Sequence, residues 1–406
     1  MQDRSLYQQT ISLYRDQDQM IFVAGPRQSG KTTLAHIIGK GFDSSTYFNW
    51  DIATDRKKLK AAPYFYESLD RPRDQPALVI FDEIHKFSGW KNYLKGAYDR
   101  DQGKFKFLIT GSGRLDTYRK GGDSLAGRYF LVHVWPFTLA ELAESRIPHD
   151  EFIGNPLICP TSDPQTSAEI WQRLSERSGF PTPYLAKTPE IYRVWSETYR
   201  NQLVREDVRN IEHVVKIDQL EGLVDLLPLR VGSPLSLNNL AGDIGVSFDT
   251  VKSWLNVLDR FFLTFRIAPY ASKVTRAITK EQKLYLFDYA QIDDPAARFE
   301  NMVALELYRA VSTWNERGLG RYQLTYVRNR DKEECDFLLT DKRRPICLIE
   351  TKLSDTAVSK SLLKFQDQLA VPAVQLVTRE GTRRRIKNGD HEVLVVSAWD
   401  WLRQLP

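Results

Sequence analysis

Residues Ile21–Leu34 read IFVAGPRQSGKTTL, and the reading of the whole chain starts from them. The apolar run Ile21-Phe22-Val23-Ala24 predicts a short buried strand, and a helical pattern follows Thr32 and Thr33. Between them stand Gly25, Pro26, Arg27, Gln28, Ser29, Gly30, Lys31 and Thr32, the spacing G-x-x-x-x-G-K-T. A strand, a glycine loop and a helix in that order make a phosphate cradle. Gly25 and Gly30 let backbone N–H groups turn inward around phosphate oxygens. Lys31 sets a point charge near the β- and γ-phosphates, and Thr32 offers a hydroxyl to Mg²⁺. The helix adds its positive N-terminal end. Residues 25–33 are therefore expected to bind a nucleoside triphosphate, ATP with Mg²⁺.

The chain has 406 residues, enough for two to four domains that each bury a core. Its net charge is only +5, so a nucleic-acid surface would have to be local, with the positive sign concentrated on one domain. Cys159, Cys335 and Cys347 show no metal spacing and no disulfide framework, which points to a reducing compartment. The first residues, MQDRSLYQQT, lack a basic-then-apolar leader, and no apolar run approaches the ~20 residues that span a bilayer. The expectation is a soluble cytoplasmic protein with no membrane partner.

Leu6–Asp16 reads as a short helix leading into the first strand, and Ser45–Trp50 as a second strand. Ala77–Phe81 is an apolar run that ends in Asp82-Glu83. Beside a phosphate loop, Asp82 is placed to hold Mg²⁺ and Glu83 to polarise the attacking water; alone, such a run is more often a buried strand with a helix-capping Asp. Lys104–Thr110 is a further strand whose end carries Thr110, Gly111 and Ser112. Thr110 or Ser112 could sense the γ-phosphate, or simply make a turn. Tyr129–Val134 follows as another strand. Strands alternating with helices call for a mainly parallel, covered sheet.

GPRQSGKT, LVIFDEIHK, FLITGSGRL, SLAGR and WPFTLAEL together resemble an ATPase family of the AAA superfamily that is fused to a C-terminal domain of unknown function. The resemblance implies a sheet with the phosphate-loop strand at its centre and Lys31 and Glu83 in catalysis. It also implies a homo-oligomer, a ring, in which neighbours complete each site. In that superfamily an arginine before the last core strand reaches the neighbour's γ-phosphate; Arg128 stands there, with Arg114 as second candidate. The α/β architecture so read has a P-loop AAA-type core at 1–137, a helical lid at 138–227, a winged helix-turn-helix at 228–290 and a restriction-endonuclease-like domain at 291–406.

The lid segment is rich in helix formers, broken by prolines and by a loop around Gly154–Gln165. Arg193 and Arg205 are candidate phosphate contacts there, though solvent-facing arginines are the commoner meaning. Leu240, Ala241 and Ile244 form one helix face, Gly245-Val246-Ser247 turns, and Val251, Trp254, Leu255 and Leu258 line a second helix with Ser247 as N-cap. Outward positions include Asp249, Lys252, Ser253 and Asn256. Phe261–Ile267 and Lys283–Phe287 would supply wing strands, with Lys273, Arg276 and Lys280 in the loop between them. Three cations and no acid suit phosphate contacts with DNA, although winged helices also join proteins to proteins.

In the last segment Glu300–Tyr308 reads as an amphipathic helix, and Cys335–Leu339 and Ile346–Lys352 as paired strands across a turn at Asp341–Pro345. Asp336 and Glu350 then share one side near the hairpin base, and Lys352, two residues on, points the same way. Two carboxylates can share a divalent cation with a scissile phosphate while a lysine activates water; the bland reading is solvated charges at a hairpin base. Glu281-Gln282-Lys283 has the same E-x-K spacing but lacks the preceding apolar strand, so it receives no role. Glu300, Asp336, Glu350 and Lys352 resemble the motif of the restriction-endonuclease-like fold, many members of which keep only the DNA-binding shape. Arg379, Arg383, Arg384, Arg385 and Lys387 form a basic cluster, a solvated turn or a phosphate-contacting edge.

These readings combine into an ATP-driven, oligomeric motor that remodels forked or junction DNA. Two others stay open: a nucleotide-gated, metal-dependent nuclease in defence against foreign DNA, and a regulatory switch whose C-terminal half binds protein.

Overall fold

The computed structural model describes residues 3–72, 75–112, 125–159, 164–208, 216–271, 281–354 and 357–406. The chain divides into two compact units, one of residues 1–136 with 260–262, the other of 137–259 with 263–406. Lys273, Arg276, Lys280 and Arg114 lie outside the described residues. Among the described residues no helix is long and apolar enough to cross a membrane.

The first unit is a five-stranded parallel sheet in the order β2-β3-β4-β1-β5. Its strands are β1 (Met20–Ala24), β2 (Ser45–Asn49), β3 (Ala77–Asp82), β4 (Phe105–Thr110) and β5 (Tyr129–His133). Every residue of β1, β3 and β4 is buried, which is why these strands read as largely apolar runs, with Lys106 inside β4 the exception. Helices α1 (Ser5–Ser12), α2 (Lys31–Gly39), α3 (Ala53–Ala61) and α4 (Trp90–Asp101) alternate with them. Strand β1 lies inside the sheet, one place from the β5 edge. The register aligns Asn49 with Asp82, Asp82 with Thr110, and Thr110 with Val23. The carboxyl ends of four strands thus meet where the glycine loop begins, the usual place for a ligand in an open α/β sheet.

The second unit opens with helices, among them α5 (Pro164–Arg177) and α6 (Glu190–Asn201). Helix α7 (Leu237–Ile244) ends at Gly245, whose φ of 71° is the left-handed turn that stops it. Helix α8 (Phe248–Arg260) begins where Thr250 N donates to the Ser247 hydroxyl at 3.1 Å, the expected N-cap. The hairpin of β6 (Thr264–Pro269) and β7 (Lys283–Leu286) follows. It starts three residues later than the apolar run suggested, because Phe262 (φ 57°) turns the chain and Leu263 N closes back on Leu258 O.

That hairpin is not a separate wing. Ala268 and Pro269 of β6 pair in parallel with Thr325 and Tyr326 of β8 (Tyr322–Arg328), so β6 and β7 extend the C-terminal sheet. The eight strands run β12-β13-β11-β10-β9-β8-β6-β7, with β9 (Glu334–Asp341), β10 (Arg344–Lys352), β11 (Ala373–Val377), β12 (Arg383–Asn388) and β13 (His391–Ser397). Only Lys342 and Arg343, both at positive φ, separate β9 from β10, a tighter turn than the five residues expected. Helix α9 spans Pro295–Glu316 and starts earlier than its apolar stripe. Asp294 caps Ala297 N at 2.8 Å and Pro295 occupies the first turn.

Candidate functional site

The glycine loop is shaped by close packing and by two cations. A Cβ on Gly25 would lie 2.3 Å from the Val134 carbonyl oxygen, so glycine is required there, and its φ of 138° also favours it. Gly30, at φ 95°, hands the chain to α2. Arg4 braces the loop from outside: its guanidinium donates to Ser29 O at 2.5 Å and to Trp135 O at 2.7 Å. Lys31 folds inward, its ammonium donating to Pro26 O at 2.5 Å and Gly25 O at 3.1 Å. Burial pushes Lys31 down to about 8, against the pull of Glu83 and Asp82. Among the described residues the buried Ser29 hydroxyl has no hydrogen-bond partner. A buried ammonium held only by carbonyls, an idle hydroxyl and a helix N-terminus are what a polyphosphate would complete.

Asp82 is the hub beside the loop. Its Oδ2 accepts from Thr32 Oγ1 at 2.8 Å and from the Tyr47 hydroxyl at 2.7 Å, and its Oδ1 accepts from Thr110 Oγ1. Thr32 and Asp82 thus present adjoining oxygens at the helix start, a donor set that fits Mg²⁺. Thr110 reaches Asp82 through the register, and Gly111 N donates to Val23 O at 3.2 Å. Tyr47 had no sequence signal of its own; only the pairing of β2 with β3 puts it here.

Glu83 stands next to Asp82 in left-handed backbone, φ 57°. Its Oε2 lies 3.2 Å from Lys86 Nζ and 3.5 Å from His85 Nε2. Lys86 also bonds Asp51 at 2.6 Å. Partial burial opposes the charge on Lys86, but the Asp51 bond and the nearby Glu83 outweigh it and raise the ammonium. Arg128 sits at the opposite end of the strands: Met20 N donates to its carbonyl at 2.8 Å. Its guanidinium holds Asp99 of α4 through Nε at 2.8 Å and Nη2 at 3.3 Å.

In the second unit the outward positions of α8 are as read: Asp249, Lys252, Ser253 and Asn256 are exposed while Val251, Trp254, Leu255 and Leu258 are buried. Asn256 accepts from Arg266 at 2.6 Å. Arg205 is held by Glu221 at 2.5 Å. Arg383, Arg384 and Arg385 are exposed on β12, the edge strand of the sheet rather than a turn, and Arg385 bonds Glu392 at 3.0 Å.

The C-terminal carboxylates come together around a residue the sequence passed over. Lys283, the first residue of β7, is fully buried; its ammonium lies 3.0 Å from Glu300, 2.6 Å from Glu334 and 3.5 Å from Asp336. Asp336 Oδ2 accepts from Thr351 N at 2.9 Å and Thr351 Oγ1 at 2.7 Å. Glu350 pairs with Lys352 at 2.9 Å. Tyr285 donates to Glu300 at 2.8 Å.

Residues 17–143 match a family described as an AAA domain. The first unit is therefore an AAA-type P-loop ATPase domain, as its loop and sheet already suggested. Residues 168–291 and 296–399 match two domains of unknown function, DUF8612 and DUF4143. An uncharacterized protein of Mycobacterium tuberculosis is 22% identical over 269 residues, 66% of this chain and 54% of that one. The chain thus spans about half the length of the mycobacterial relatives it matches. An uncharacterized protein of Methanocaldococcus jannaschii is 23% identical over 406 residues, covering 90% of this chain and 82% of that one. Among solved structures, a Walker-type ATPase of Pyrococcus abyssi aligns over 70% of this chain and 92% of its own, with 14% identity and a TM-score of 0.41.

Proposed function

We propose that this chain hydrolyses ATP with Mg²⁺ and uses the cycle, as an oligomer, to remodel forked or junction DNA. The observation that carries the reading is the meeting of Lys31, Thr32, Asp82, Glu83 and Thr110 at one end of one sheet. Thr32 and Asp82 would hold Mg²⁺, which supplies charge neutralisation of the phosphates when bound. Lys31 binds phosphate oxygens, Glu83 orients and polarises the attacking water, and Thr110, tied to Asp82, is placed to sense the γ-phosphate. Lys86 holds Glu83 in the resting site, so release of that pair precedes water activation.

Arg128 faces Asp99 at the far end of its own sheet, which suits a residue acting on a neighbouring subunit. Mixing Arg128→Ala with Glu83→Gln chains is expected to restore part of the lost turnover; no recovery from subunits shown to exchange would refute the shared site. The DNA contribution rests on the exposed polar face of α8, with Lys252, Ser253 and Asn256, and on the basic edge strand Arg383–Arg385. Its test is binding of forked DNA at low salt and stimulation of ATP turnover by that DNA. Failure to bind any DNA would leave the regulatory-switch reading, with the second unit as a protein-binding half.

A further inference from the structure

The second unit holds four carboxylates on three elements: Glu300 on α9, Glu334 and Asp336 on β9, and Glu350 on β10. Such a convergence, with Lys352 beside it, is the arrangement from which metal-dependent phosphodiester cleavage would be read. Its centre, however, is filled. The Lys283 ammonium contacts three of the four carboxylates, with no exposed side-chain surface and the Tyr326 ring 5.5 Å away. Glu334 is further bound by Arg328 at 3.1 Å.

Other oxygens of the cluster are also engaged. Asp336 gives one oxygen to Thr351 and the other to Lys283. Glu350 gives Oε1 to Lys352, and its Oε2 faces Asp336 N at 3.4 Å. The Gly232 backbone closes the Glu300 side, where even a Cβ would stand 2.8 Å from Oε2. A divalent cation needs carboxylate oxygens at roughly 2.0–2.6 Å, freed from other donors, and would have to sit against a buried positive charge. Burial and then Asp336 push Glu300 up to about 8 and Glu350 up to about 7, the mark of carboxylates crowded together out of water. Among the described residues no group of three His, Cys, Asp or Glu side chains is arranged to hold a metal ion.

We infer that the Lys283 ammonium occupies the position a divalent cation would take, so that the carboxylate cluster is a metal-independent brace tying β7, α9, β9 and β10 together. The residues do not fit the metal that the nuclease resemblance implies. On this assignment the domain contributes a binding surface and performs no metal-dependent cleavage. The inference stands apart from the ATPase reading, because it concerns residues of the second unit alone.

The test counts Mn²⁺ bound to the full-length, nucleotide-free protein by electron paramagnetic resonance, with and without Asp336→Asn. Any Mn²⁺ held near Asp82 is common to all chains and cancels. Wild type and Asp336→Asn are expected to bind the same number of ions. Lys283→Ala is expected to bind one more ion per chain, to lose it again in the Lys283→Ala/Asp336→Asn double variant, and to melt higher in Mn²⁺ than in EDTA. An ion in wild type that disappears with Asp336→Asn overturns the assignment, as does wild-type nicking of DNA in Mn²⁺ that Asp336→Ala abolishes. A folded Lys283→Ala that gains no ion overturns it too. If Lys283→Ala does not fold, the wild-type and Asp336→Asn comparison decides alone.

Discussion

Lys31 and Lys283 are both buried, 7% and 0% exposed, yet their surroundings have opposite character. Among the described residues the Lys31 ammonium hydrogen-bonds only the carbonyls of Gly25 and Pro26, and burial drags it down to about 8. Lys283 meets three carboxylates, whose charges outweigh the same burial and drive its ammonium far up. A cation left with dipoles alone is poised for an incoming anion. One already surrounded by anions has no use for another ligand. The contrast separates a site awaiting substrate from one that is complete as folded.

The sharpest way to break the comparison is at turnover. Lys31→Ala is expected to abolish ATP binding, and Glu83→Gln to keep binding while lowering hydrolysis by on the order of 10²–10⁴-fold. Fluorescent-nucleotide titration beside phosphate release separates the two; full turnover in Glu83→Gln would remove its role.

Stability comes next, and the two lysines should part in it. Removing one member of a buried ion network leaves its partners uncompensated and costs about 3–5 kcal/mol, so Lys283→Ala should lower the urea midpoint strongly. Lys31→Ala, which relieves an ammonium buried without a carboxylate partner, should cost little or stabilise. Equal losses would erase the distinction.

The pH dependence of binding is smaller and has a definite sign. Lys31 in the empty loop loses its charge as pH rises through about 8, whereas bound polyphosphate favours the charged form. Binding must then take up a proton, so ATP affinity should fall by roughly tenfold per pH unit above about 8. A flat profile from neutrality to high pH would place the Lys31 ammonium outside the phosphate site.

The smallest effect belongs to Tyr47→Phe. It removes one donor from Asp82 without emptying the space, and should raise the Mg²⁺ needed for half-maximal turnover about tenfold. An unchanged Mg²⁺ midpoint would take Tyr47 out of the site.

Much of the first unit was legible because its signals are local. The strand, loop and helix of residues 20–39 follow one another without a gap, and β3 ends on Asp82 as its apolar run predicted. Strand β12 was less legible. Arg383–Arg385 gave a charge run typical of a solvated turn, and only pairing with β13 made it an edge strand. The hairpin β6–β7 likewise looked like a free-standing wing until two residues of β6 paired with β8.

By itself the amino-acid sequence determined the phosphate loop and the approach of Asp336 to Glu350, because each depends on neighbours along the chain or across one tight turn, and the alternation of strands with helices called for a parallel sheet. Tertiary structure alone decided that Tyr47 serves Asp82, that Arg4 braces the glycine loop, and that Lys283 lies among Glu300, Glu334 and Asp336. Those contacts join positions from 17 to 53 residues apart. A lysine before a strand has the same spelling whether it points to water or into a ring of carboxylates. Strand register and the packing of α9 against β7 choose between the two, and with them whether the cluster has room for a metal ion.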